Sequence, residues 1–143
     1  MFITRATRHD FAELKELLTP PNEAPEVDPK EGTALIARDG GIIGCVRLVE
    51  VEPQTVVVDN VLVVEDRRGK GVGADLMRAA MNSRGGKLFL CCHEERIPFY
   101  ERLGFSLLPG GFHDAPVSVQ EYWRKVDDYP TPEGHEHFYL SAR

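Results

Sequence analysis

Residues Val61-Leu62-Val63-Val64-Glu65-Asp66-Arg67-Arg68-Gly69-Lys70-Gly71-Val72-Gly73 place three glycines and three basic side chains in a short turn. An apolar run precedes the turn, and a helical pattern (Val72, Leu76, Met77, Ala80, Met81) follows it. A strand, a glycine-rich basic turn and a helix N-terminus together can bind an anion. Main-chain N–H groups converge there, the helix dipole adds partial positive charge, and Arg and Lys add full charges. The ligand this suggests is a phosphate or pyrophosphate carried by a cofactor. A Walker loop would require a Ser or Thr after its Gly-Lys, and Gly71 follows Gly69-Lys70 instead. A dinucleotide fingerprint would follow the first strand, whereas this turn follows the fourth strand candidate and has Gly-x-Gly-x-Gly spacing.

The elements that must position this turn follow from periodicity and punctuation. Phe2–Ala6 reads as a strand, and Thr7 or Asp10 caps a helix with Phe11, Leu14, Leu17 and Leu18 on one face. Pro20-Pro21 stops that helix, and residues 19–32 form a polar, acidic loop. Thr33–Arg38 and Ile42–Glu52 read as a hairpin around Asp39-Gly40-Gly41, with Gln54–Val64 as a third, valine-rich strand. The helix after the glycine turn ends near Arg84 at Gly85-Gly86. Lys87–Cys92 is a near-continuous apolar strand, Glu94–Leu103 a helix closed by Gly104, and Phe105–Leu108 a strand. A short helix over Val117–Lys125 and a final strand over His137–Ala142 complete the chain. The order β-α-β-β-β-α-β-α-β-(α)-β predicts an α/β fold with a mixed sheet and helices on both faces.

The 143 residues suit one domain, 1–143, with no repeat or linker. No apolar run approaches the roughly 20 residues of a membrane span, and Met1–Arg8 lacks a signal-peptide core. A net charge of −6 argues against a nucleic-acid coat protein. Cys45, Cys91 and Cys92 are odd in number and lack metal-site spacing, so reduced thiols in a cytoplasmic protein are expected. His135-x-His137 has no clear third ligand, and no metal is expected there.

Arg68-Gly69-Lys70-Gly71-Val72-Gly73 matches the Gln/Arg-x-x-Gly-x-Gly/Ala signature of the GNAT superfamily of acyl-CoA-dependent N-acyltransferases. Downstream, Pro98-Phe99-Tyr100-Glu101-Arg102-Leu103-Gly104-Phe105 resembles that family's Phe-Tyr-Glu-Lys-Leu-Gly-Phe helix ending, and Arg5-Ala6-Thr7-Arg8-His9-Asp10 resembles its usual start. The resemblance covers nearly the whole chain in order. It implies a mixed, mostly antiparallel sheet of six to seven strands and acetyl-CoA (coenzyme A) as cofactor. The pyrophosphate would lie on main-chain N–H groups of Arg68, Gly69, Lys70, Gly71, Val72 and Gly73. The pantetheine arm would run along main-chain groups of Val61, Leu62 and Val63, with an N–H near Val63 polarising the thioester carbonyl.

The resemblance also implies catalytic residues. Tyr100 is the expected general acid, because a phenol can protonate a leaving thiolate. The family's usual strand carboxylate is missing, since Val57 occupies the matching position. Asp59, two residues on, and His93, where the family often has Asn, are the candidates to relay the amine's proton through water. Glu50 and Glu52 on the preceding strand are further candidates that read more readily as solvated, and Cys91 and Cys92 read as buried thiols with no part in direct transfer. The acceptor pocket would draw on residues 19–32 and 109–135. In the second segment Asp114, Glu121, Asp127, Asp128 and Glu133 interleave with Phe112, Tyr122, Trp123 and Tyr129. An acidic, aromatic-edged mouth would favour a cationic amine; a solvated surface and a homodimer interface are the other uses for that segment. The expected function is transfer of an acetyl group from acetyl-CoA to a primary amine of a small molecule or peptide. A non-catalytic acyl-CoA-binding or regulatory domain is the alternative.

Overall fold

The computed structural model describes residues 1–18, 31–83, 85–126 and 136–143, with only the backbone of Asn60. Among the described residues seven strands run in the hydrogen-bonded order β1-β2-β3-β4-β5-β7-β6, and four α-helices accompany them. Of the pairings described, β4–β5 is parallel and the rest are antiparallel, as the mixed, mostly antiparallel expectation requires. Internal contacts divide the chain into two compact units. One is Met1–Val49 with Val58–Arg84; the other is Glu50–Val57 with Gly85–Arg143. β3 (Gly41–Glu52) and β4 (Thr55–Val63) contribute residues to both.

In the first unit, β1 (Phe2–Arg5) pairs with β2 (Thr33–Asp39), and β2 pairs with β3 through a tight turn at Gly40. The β2–β3 register shifts between Ala37 and Arg38, and Ile43 is the extra residue. A short 3-10 turn (Arg8–Asp10) leads into α1 (Phe11–Leu18). Thr7 and Asp10 both serve that start: Asp10 Oδ2 accepts the Thr7 N–H at 2.8 Å and the Thr7 hydroxyl at 3.2 Å. Asp10 also pairs with Arg38, which ties the helix start to β2. α1 buries Leu14 against Ala34, Ile36, Ile42 and Cys45, with Leu17, Leu18 and Leu62 packed around them.

α2 (Val72–Ser83) buries Val72, Leu76, Met77 and Ala80, the stripe its periodicity predicts. Gly44 explains how close that helix lies. A Cβ there would sit 2.9 Å from the Leu62 carbonyl oxygen and 3.1 Å from Leu76 Cδ1. Gly44 and Cys45 are consecutive on a strand and so face opposite ways. Cys45 meets α1 and Gly44 meets α2, which puts the two helices on opposite faces of these strands.

In the second unit, β5 (Lys87–Cys92) pairs with Thr55–Val57 of β4 on one side and with β7 (Phe138–Ala142) on the other. β6, expected over four residues, is only Ser106–Leu107 and pairs with Ser141 and Leu140. A 3-10 turn (Glu94–Arg96) opens α3 (Ile97–Arg102). α4 (Val117–Val126) buries Val119, Tyr122 and Trp123, an i, i+3, i+4 stripe. Trp123 packs on Tyr139 at 4.8 Å between ring centroids and on Phe112 at 6.0 Å. Among the described residues, no helix is long and apolar enough to cross a membrane.

Candidate active site

The glycine turn belongs to the first unit. The Val64 N–H donates to the Ile43 carbonyl at 2.9 Å, which anchors the end of β4 to β3. Glu65–Arg67 then form a 3-10 turn, and the Arg67 N–H returns to the Val64 carbonyl at 3.0 Å. Gly69 and Gly71 follow with φ of +77° and +83°, a left-handed backbone that side chains rarely adopt. A Cβ at either would meet no atom within 4 Å among the described residues, so none of them packs onto the turn there. The helix proper starts at Val72, and the Asp75 N–H closes its first turn on the Gly71 carbonyl at 3.0 Å. The N–H groups just before Asp75 have no intrahelical acceptor. A clear space, unclosed main-chain donors and exposed Lys70 and Arg68 fit a pyrophosphate. Of the donors expected from the sequence, Arg68 differs: its N–H is engaged by the Glu65 carbonyl at 3.3 Å. Its side chain turns back as well, with Nε donating to the Val63 carbonyl at 2.9 Å.

Asp59 also lies in the first unit, and it is committed to an ion pair. Arg47 Nη2 donates to Asp59 Oδ2 at 2.7 Å. The Arg47 side chain is 3% exposed and that of Asp59 is 23% exposed. Arg47 Nη1 donates to the Glu31 carbonyl at 3.1 Å and lies 3.8 Å from the Glu31 carboxylate. A lone arginine in an apolar strand was the available signal for this buried cation, and Arg47 was not singled out from the sequence.

Tyr100 and His93 lie in the second unit. Tyr100 is buried, edge-on to the rings of Phe99 and Phe105 at 5.0 and 5.9 Å. Burial pushes its phenol up to about 12; Cys92 and Cys91 push the same way and Arg96 opposes them. The phenol therefore keeps its proton throughout the neutral range. His93 is exposed and starts the 94–96 turn, but through its main chain rather than a side-chain cap. Its ring rests on His137, 5.0 Å between centroids. Burial raises the Cys92 thiol to about 11 and the Cys45 thiol to about 12, which suits inert thiols rather than nucleophiles. Val57 is buried, while Glu50 and Glu52 are exposed. Among the described residues no group of three His, Cys, Asp or Glu could hold a metal ion, and His135 lies outside them.

Residues 30–107, which contain the turn, the β4 end and Tyr100, match the family model of the acetyltransferase (GNAT) domain. The chain belongs to the GNAT acetyltransferase family. Solved structures share its fold. An IAA acetyltransferase from Bacillus cereus is 21% identical, with 98% of this chain and 97% of that one covered and a TM-score of 0.69. N-acetylglutamate synthase from Neisseria gonorrhoeae, complexed with coenzyme A and N-acetyl-glutamate, is 16% identical. It covers all of this chain with a TM-score of 0.71, and this chain spans 35% of its length. An acyl-CoA N-acyltransferase from Pseudomonas aeruginosa is 17% identical over 99% of both chains, with a TM-score of 0.69.

Three of the aromatic residues expected at an acceptor mouth lie elsewhere. Phe112, Tyr122 and Trp123 do not edge a mouth; they are buried at 4%, 7% and 2% exposure. Tyr122 and Trp123 belong to the core stripe of α4, and Phe112 packs on Trp123 from the Gly111–Asp114 turn, while the flanking Asp114 and Glu121 are exposed. The exposed Asp114 carboxylate accepts the Gly110 N–H. Asp127, Asp128, Tyr129, Glu133 and residues 19–30 lie outside the described residues.

Proposed function

We propose that this chain is an acetyl-CoA-dependent N-acetyltransferase that transfers the acetyl group directly to a primary amine of a small molecule or peptide. The observation that carries this is the turn between β4 and α2, with left-handed glycines, open space above them and main-chain donors at a helix start. The neighbour complexed with coenzyme A has the same fold and supports the same donor. In this reading the N–H groups of 69–73 hold the pyrophosphate, and the main chain of Val61–Val63 aligns the pantetheine arm. An N–H near Val63 polarises the thioester carbonyl as the amine nitrogen attacks its carbon. The C–S bond then breaks, and Tyr100 gives its phenolic proton to the departing sulfur. Tyr100, still protonated at neutral pH, suits that role. The amine's proton leaves through water, with His93 as the relay and Asp59 held to a positioning role by Arg47. Three cysteines, odd in number, suit a reducing, cytoplasmic setting.

A buried Val57 at the family's usual carboxylate position favours a second reading, a non-catalytic acyl-CoA-binding domain. One experiment separates the two. The protein is incubated with acetyl-CoA and a panel of amines, amino acids and peptides, and free thiol is measured. Amine-dependent thiol release is expected; tight CoA binding with no release from any amine would leave the binding domain.

A further inference from the structure

We propose that Arg67 and Asp39 are a positioning pair that holds the donor turn in shape, and that Arg67 is not itself a phosphate ligand. The proposal rests on the reading of the 68–73 turn as the donor site.

The turn lacks the usual means of being held. Two of its glycines sit in the left-handed region, and among the described residues no atom lies within 4 Å of where a side chain would start. Packing at these two glycines therefore does not set the turn's shape, and the open main-chain cradle is held from its flanks, by buried Val72 on the helix side. On the strand side, two guanidinium groups do this. Arg68 Nε binds the Val63 carbonyl within the turn's own strand, a local bond. Arg67 Nη1 reaches Asp39 Oδ2 at 2.6 Å, 28 residues away, at the tip of the β2–β3 hairpin.

That hairpin tip is itself fixed. Glu13 Oε1 of α1 accepts the Ile42 N–H at 2.9 Å, and Arg38 pairs with Asp10 at the start of the same helix. The Arg67–Asp39 bond thus ties the turn to a clamped point. The carboxylate also spends the charge of Arg67. Among the described residues neither Lys70 nor Arg68 has a carboxylate partner, so these are the cations left for a phosphate.

The test is calorimetric titration at low salt of wild type, Asp39→Asn, Arg67→Gln and the exchanged pair Asp39→Arg with Arg67→Asp. The ligands are CoA and 3′-dephospho-CoA, and thermal melting checks that each variant is folded. An exposed charge-assisted bond is modest, so each single variant should bind both ligands about three- to fivefold more weakly. The exchanged pair should return to within about twofold of wild type. A direct phosphate ligand behaves differently. Arg67→Gln would then weaken binding, Asp39→Asn would leave it unchanged or tighten it, and the exchanged pair would be the worst of all. Either that pattern or four equal affinities overturns the tether while leaving the donor site standing. A wild-type chain that binds neither ligand removes the donor-site reading, and the tether with it.

Discussion

Replacing Asp59 with Asn tests whether this carboxylate is structural or chemical. Its partner Arg47 is 3% exposed, so the substitution leaves a buried cation without its nearest counter-charge. Opposite unit charges about 4 Å apart attract by about 4 kcal/mol at an effective dielectric of about 20. Asp59 is 23% exposed, so solvent screens part of this, and the Glu31 carbonyl and carboxylate remain beside the guanidinium. A loss of about 2–3 kcal/mol is expected, near the low end for breaking a buried pair. For 143 residues the unfolding entropy is about 0.3 kcal/mol/K, so the melting temperature should fall by about 7–10 °C. Scanning calorimetry reads this directly. Adding Arg47→Met should recover part of the loss, because an apolar side chain in that site needs no counter-charge. Turnover of folded Asp59→Asn, measured by thiol release below its melting range, should stay within about threefold of wild type with the acid limb of its pH profile unmoved. An unchanged melting temperature together with a hundredfold loss of turnover would refute the structural assignment and return Asp59 to the proton relay.

Further outcomes follow from the same geometry. Tyr100→Phe should leave CoA affinity nearly intact and slow turnover by about 10²-fold or more, read by calorimetry and thiol release; unchanged turnover removes Tyr100 from the mechanism. The folded-state value of Tyr100 lies above the ordinary phenol value of 10.0, so the folded protein keeps a proton that the unfolded chain loses. Its contribution is fully present below pH 10 and is lost as pH rises towards about 12, about 2–3 kcal/mol in denaturant titrations, and Tyr100→Phe should flatten that decline. Gly71→Ala has free space for its methyl group but a φ of +83°, so it should cost about 1 kcal/mol through the backbone and weaken CoA binding.

Much of this fold is legible in the sequence because its punctuation is local. Thr7 and Asp10, Asp39-Gly40, the 69–73 glycines and the α2 stripe each act within a few residues. What was not legible depends on partners far along the chain. Arg47 is only a lone arginine in an apolar strand until Asp59 and Glu31 are seen around it. Asp39 and Arg67 read as turn and cradle charges until they meet. Tyr122 and Trp123 differ for another reason: charged neighbours give their segment a surface composition, while the Val119, Tyr122, Trp123 spacing marks a buried helix face.

The buried Trp123 has a practical use beyond packing. It is the chain's single tryptophan, it is 2% exposed, and it belongs wholly to the second unit. Its emission, excited selectively at the red edge, is therefore a built-in optical reporter for that unit alone, while far-ultraviolet dichroism averages over both. Denaturation curves from the two signals need no label to be compared. Superimposed curves would mean that the units melt as one, and an early fluorescence transition would mean that the half holding Tyr100 lets go before the half holding the glycine turn.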